Sequence, residues 1–280
     1  MLHKTFLSAA AGLALVLPVL AQEPGAAEAQ DAPAAQEPKV SQAAQEILKN
    51  VPKLLDQKWK TTMLFDVKNG EEGTANVKAT LHYQDFRHFK ADLKIDAVEG
   101  EEAQKMAVQI VCDGKFLYLD GDIPAEQTGG LPLPIKVDIS VIEDLIKSQS
   151  LATEGADGAE GVDKEAAKQM VSEGLKGVFG MATVSEEGST ETMRRYVMKA
   201  EGAEGWMTFG RDFWMPSGAM IHGEDGMTLK MSSENTAKVE SFPEGTFAFK
   251  VAEGKSVFDL TPMLQGMLGA PAPGSDDLEF

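Results

Sequence analysis

The sequence predicts an α+β protein: an antiparallel sheet of about ten strands, one helix ahead of it, and a helical insert between two runs of strands. Three observations lead there. Apolar and polar residues alternate with period two over most of the chain. Short turn signals, Asn69-Gly70 and Asp113-Gly114 among them, separate the alternating runs. Helical spacing shows only near the start of the folded part and in the middle.

Composition narrows the class before any element is placed. The 280 residues carry 44 Asp+Glu against 26 Lys+Arg, a formal net charge of −18. Phosphate neutralisation needs clustered cations, so nucleic-acid binding is excluded as an expectation, and anionic membrane surfaces are disfavoured. One cysteine leaves no intramolecular disulfide framework. The ends read as processing and linking segments. Residues 1–21 have a weakly basic start, an apolar Ala-rich run and small residues before Gln22, the pattern of a cleaved secretory signal peptide. No cysteine follows that run, so no bacterial lipid anchor is expected. Residues 22–40 hold Ala, Gln, Glu and Pro with almost no large apolar side chain, and 269–280 have the same character. Both read as disordered, which leaves 41–268 as one folded domain of a periplasmic or secreted protein.

The elements follow in order. Ser41 starts an amphipathic helix carrying Ala44, Ile47, Leu48, Val51 and Leu55, and Pro52 kinks or restarts it. Met63, Phe65 and Val67 alternate before the Asn69-Gly70 turn. Ala75 to Tyr83 and Phe89 to Ile95 alternate on odd positions. Met106, Val108 and Ile110 lead into Asp113-Gly114, and Phe116 and Tyr118 return. Short connections imply a meander. Residues 139–150 read as a helix and 151–162 as an acidic loop. Asp163 reads as the cap of a second helix with Ala167, Met170, Val171, Leu175 and Val178 on one side. Strands are expected at 181–187, 192–200, 205–210, 213–222, 227–234 and 246–251. Such a sheet must cover its apolar face, by curling or by packing helices on it. A curved sheet closed by helices leaves an apolar cavity.

Catalytic signatures are missing. The sequence has no G-x-S-x-G, no P-loop, no dinucleotide fingerprint and no H-E-x-x-H. His82 and His88 fall on solvated strand faces, and Cys112 reads as a small core residue. No enzyme activity, metal or cofactor is expected. Seven methionines between Met193 and Met231 are either an adaptable apolar surface or core filling.

Two stretches carry a family resemblance. Residues 81–90 (LHYQDFRHFK) followed by 108–120 (VQIVCDGKFLYLD), then 225–231 (DGMTLKM) and 242–257 (FPEGTFAFKVAEGKSV), resemble in order and spacing the outer-membrane lipoprotein carrier (LolA/LolB-like) superfamily. Asp85 stands where that family has a proline before its aromatic-basic pair. The resemblance implies an incomplete antiparallel β-barrel with helices plugging the open side and acyl chains held in the cavity. It also implies Arg87 as the contact to the helical lid. The residues expected to line the cavity are Phe65, Leu81, Phe89, Leu93, Val108, Ile110, Phe116, Tyr118, Met227, Leu229 and Met231. The expected partner is a lipid or lipoprotein acyl chain. The alternative is an envelope sensor of the same fold that binds a partner protein. Oligomeric state is left open.

Overall fold

The computed structural model of the chain describes residues 40–70, 73–100, 102–124, 128–150 and 164–267. The expected signal peptide, the linker up to residue 39, the acidic insert and the tail lie outside the described residues. Among the described residues no helix is long and apolar enough to cross a membrane.

Helix α1 (Gln42–Asn50) is capped by Ser41, whose hydroxyl accepts from the Ala44 N–H and donates to the Val184 carbonyl. Pro52 sits in the first turn of a 3-10 helix, Val51–Asp56, so the amphipathic run restarts as the spacing predicts. Strands β1 (Trp59–Asn69), β2 (Gly73–Asp85), β3 (His88–Glu99), β4 (Glu102–Asp113), β5 (Phe116–Gly121) and β6 (Ile135–Asp138) follow. Then come α2 (Ile139–Ser150) and α3 (Lys164–Gly180). Strands β7 (Ala182–Glu186), β8 (Met193–Ala200), β9 (Ala203–Gly210), β10 (Pro216–Gly223) and β11 (Met227–Lys238) form the second run. A short β12 (Phe258–Asp259) and α4 (Thr261–Met267) end the described chain.

All twelve strands belong to one curved, unclosed sheet in the order β12-β6-β5-β4-β3-β2-β1-β11-β10-β9-β8-β7. Every neighbouring pair is antiparallel except β12 with β6. This is the incomplete-barrel architecture with a few helices. β1 is the seam: it pairs with β2 over its whole length and with β11 on its other edge. The register carries one side of the sheet from β4 through to β8. Met106, Ile95, Val77, Phe65, Met231, Ala219, Met207 and Tyr196 stand opposite one another strand by strand. The helices pack on this side. Ala44, Ile47, Val51 and Leu54 join Val171, Leu175 and Phe179 of α3 and the odd-numbered residues of β1 and β2 in one core. Glu46 accepts from Arg194 and from the Tyr196 hydroxyl at 3.0 Å, which ties α1 to β8. Asp56 pairs with Lys164 and Lys168, which ties the 3-10 helix to α3 and holds the Asp56 carboxyl below its ordinary range.

Three expectations need correction. The buried stripe of α3 is Ala167, Val171, Leu175 and Phe179, while Val178 is 50 % exposed. The spacing is i, i+4 throughout, so Phe179 and not Val178 continues it. Two strands were unforeseen, β6 and β12. Both are short and lie among or after prolines and loops, where no alternation is long enough to read. Residues 246–251, expected as a strand, form none. The segment after β11 instead crosses the helix-free side as a strap. Phe242 meets His82 of β2 edge-on at 5.6 Å, and Phe247 meets His88 of β3 at 6.2 Å. Phe249 stacks on Tyr118 of β5 at 4.5 Å. Phe258 then donates to the Pro134 carbonyl as β12 docks on β6. Aromatic contacts hold the strap where a strand would have used backbone pairing.

His82 under this strap is the histidine expected on a wet face. Its Nδ1 is buried without a hydrogen-bond partner. Burial pushes its pKa down, Lys90 and Lys60 on the neighbouring strands push it further, and Asp92 partly offsets them. The unfolded chain therefore binds the proton more readily, so stability held above the ordinary histidine range is lost as pH falls through it. Proteolytic cleavage within 239–257 is expected to accelerate between about pH 7.5 and about pH 5.5, on either side of the unperturbed histidine value. The acceleration is expected to shrink in His82→Gln; cleavage that ignores both pH and the substitution refutes it.

Candidate functional site

The alternation of β3, β4 and β5 leaves an apolar strip on the helix-facing side. Phe89 stands opposite Cys112, Ala91 opposite Ile110 and Leu93 opposite Val108. Across β4, Cys112 meets Leu117 and Ile110 meets Leu119. Ala91, Leu93 and Cys112 are buried, whereas Phe89, Val108, Ile110, Leu117 and Leu119 keep part of their surface open.

Helix α2 closes one end of the strip. It leaves β6 at Asp138, whose carboxylate accepts from the Ser140 N–H as a cap would. One turn in, Glu143 meets Arg87 in the β2–β3 turn, three strands across from β6. The Arg87 guanidinium donates through Nη2 to both carboxylate oxygens at 2.7 and 2.9 Å and through Nε at 3.1 Å. Glu143 is 3 % exposed, an ionisable side chain that only a fork of donors makes tolerable there. Asp85 prepares the turn for this contact. Its carboxylate accepts from the Arg87 N–H at 2.9 Å and meets His88 Nδ1 at 2.9 Å. Asp85 thus holds the backbone of Arg87 in the turn that presents it to Glu143.

The structure sorts the expected site residues by side. Phe65, Leu81, Phe89, Leu93, Val108, Ile110, Met227, Leu229 and Met231 all lie on the helix-facing side. Phe65, Leu81 and Leu93 are buried in the core under the helices. Phe89, Val108 and Ile110 belong to the strip, while Met227, Leu229 and Met231 are partly open on β11, beyond β1. Phe116 and Tyr118 are on the opposite side. Cys112 pairs with Leu117, so even-numbered residues of β4 share a side with odd-numbered residues of β5. A hairpin connection with an even number of residues always does this. Phe116 takes the ammonium of Lys136 over its ring at 4.5 Å, and Tyr118 stacks under the strap. Leu117 and Leu119 replace them in the strip. The turn parity at Asp113-Gly114 was the signal that could have found them.

The strip contains no activated group. Burial pushes the Cys112 thiol up to about 12, so it stays protonated. Among the described residues no three of His, Cys, Asp and Glu gather as a metal site. What the arrangement can do is bury an apolar chain, at about 0.8 kcal/mol per methylene removed from water.

No protein-family model matches the sequence, and no curated protein matches it. Solved structures do. An uncharacterised conserved protein from Thermus thermophilus is 12 % identical, with 78 % of this chain and 99 % of that chain covered and a TM-score of 0.39. A LolA superfamily protein from Nitrosomonas europaea is 10 % identical, with 75 % and 99 % covered and a TM-score of 0.28. The MucA/MucB complex of Pseudomonas aeruginosa contains a chain 9 % identical, with 74 % and 61 % covered and a TM-score of 0.36.

Removing the fork tests its role. Arg87→Ala leaves Glu143 buried and unpartnered, at an expected cost of about 2–3 kcal/mol given the half-exposed arginine. The denaturation midpoint should fall and amide exchange over 139–145 should quicken. Arg87→Lys should recover only part of the loss, because an ammonium cannot fork. An unchanged midpoint in Arg87→Ala would show the bridge to be incidental.

Proposed function

We propose that this chain is a non-enzymatic, exported binding protein that holds the acyl chain of a lipid or lipoprotein against the helix-facing strip of β3–β5. One observation supports this most: Phe89, Val108, Ile110, Leu117 and Leu119 are adjacent and stay partly open on the helix-facing side of the sheet. A core without cargo would be expected to close over five adjacent apolar side chains. The Arg87–Glu143 bridge fits a helix whose first turn is fixed to the β2–β3 turn at the end of the strip.

A second reading, a module that binds an envelope protein, has its own support. Met181 is 76 % exposed beside the exposed Val178 where α3 ends. Two neighbouring apolar side chains in water suit a partner surface better than a carrier.

The carrier reading expects an acyl lipid in the organic extract of the purified protein, seen by mass spectrometry. It also expects a fluorescent fatty acid to bind. Ile110→Glu, which puts a charge in the strip, should weaken that binding at least about tenfold. Tyr118→Ala, on the other side of the sheet, should leave it unchanged. Protein free of lipid, or Ile110→Glu binding as well as the native chain, contradicts the carrier reading.

A further inference from the structure

The helix-free side has a groove of about 620 Å³ over β1, β2, β10 and β11 that the proposed acyl site does not use. Its composition departs from an ordinary wet face. Leu64, Met220 and Trp206 are apolar residues pointing away from the helices. Gly218 lies beside this wall: a Cβ there would make ordinary contact with the indole ring at 3.5 Å and a tight one with the Thr208 hydroxyl at 3.1 Å. Opposite this wall, Lys78 and Lys94 face each other directly across β2 and β3. Like charges in that position repel unless something neutralises them. Neither is in an ion pair among the described residues; Lys230, on the groove's other edge, stands directly across from Asp66 of β1. The two carboxylates at the groove are Asp66 and Asp96, and Asp96 already meets Lys105 at 3.6 Å. A locally cationic, half-apolar groove thus sits on a chain of net charge −18.

That net charge repels an acidic partner arriving from solution, but it acts weakly on a segment tethered at millimolar effective concentration. We infer that the groove docks the chain's own acidic tail, residues 275–280. This segment, Ser275-Asp276-Asp277-Leu278-Glu279-Phe280, offers three carboxylates for the three lysines. Leu278 and Phe280 suit the wall of Leu64, Trp206 and Met220. The other acidic stretches fit less well. Residues 22–39 carry four carboxylates but no large apolar side chain. Residues 151–163 carry four carboxylates but no aromatic side chain to lie against Trp206. Reach is sufficient. Helix α4 starts beside β6, where Thr261 accepts from the Asp138 N–H. From there Lys94 is three strands across and about six residues along, roughly 25 Å. The twelve residues 268–279 that follow α4 span up to about 40 Å when extended, enough for that distance and for the length of α4, about 10 Å.

The test is lysine footprinting of the full chain by acetylation and mass spectrometry, at low salt and at several protein concentrations. The comparison is Asp276→Asn/Asp277→Asn/Glu279→Gln. Lys78, Lys94 and Lys230 should react about threefold faster in the variant, as release of a segment docked two-thirds of the time requires. Lys105 and Lys199 should not change. High salt should bring the native chain to the variant's rates. A second variant, Leu278→Ala/Phe280→Ala, should expose the same lysines in part. Equal rates in native chain and variants overturn the proposal. Protection that grows with protein concentration overturns it too, because the occupant is then a second copy. Since these readouts touch neither Ile110 nor acyl binding, the carrier reading stands or falls separately.

Discussion

Everything in this structure hangs on the two-sided pairing of β1. It joins the meander β2–β6 to the meander β7–β11, so its side-chain parity sets the parity of the whole sheet. Thr61, Met63, Phe65 and Val67 are buried on one side; all four hand that side on to β2, and Met63, Phe65 and Val67 hand it on to β11 as well. A slip of one residue on either edge would turn half the core outward. The 3-10 helix guards the start of this strand. The Trp59 indole donates to the Leu54 carbonyl at 3.1 Å and stacks on Tyr83 at 5.2 Å, so the helical segment and the first strand enter the core in a set relation.

The two sides of the sheet are then covered by different means. Helices need an apolar floor, and odd-numbered residues of β1 to β3 provide it together with Ala219, Met207 and Tyr196. The other side is wet over most of its area, but at one end it carries Val111, Phe116 and Tyr118. There the strap supplies Phe242, Phe247 and Phe249 in place of a helix. Val111 ends up as fully buried as Cys112 beside it, although the two point to opposite sides. Lys255 reaches back to Asp120 and Lys136 pairs with Asp259, so the strap's far end is held by charge as well as by rings.

Both proposed sites arise where this cover is incomplete. On the helix-facing side the gap is the partly open strip of β3–β5 beside α2, which is held at Glu143. On the helix-free side it lies beyond the strap, over β1, β2, β10 and β11 beside Trp206. The methionines divide accordingly. Met63, Met106 and Met207 fill core, Met231 and Met227 are partly open on the helix-facing side, and Met220 belongs to the outer groove. Neither of the two readings the composition allowed holds for all of them.

Local physics was legible in the sequence wherever a period was long enough. The cap at Ser41, the break at Pro52, the long alternations of β1 to β4 and β8 to β11, and the turn at Asp113-Gly114 are consequences of neighbours in sequence. At Gly114 a φ of +100° and a His88 ring 2.6 Å from any Cβ explain why the turn residue is glycine. Nine of the eleven expected lining residues reached the helix-facing side for the same reason. Which of them remain open was a tertiary matter, because it depends on where α1, α2 and α3 lie, and no helix's period says which strands it covers. The sides of Phe116 and Tyr118, the strap in place of a strand, the burial of His82 and the meeting of Glu143 with Arg87 were decided by residues far apart in sequence. The sequence by itself determined one sheet with one apolar side. Only the tertiary structure decided what covers each side and what is left uncovered, since cover depends on packing between elements that share no local signal.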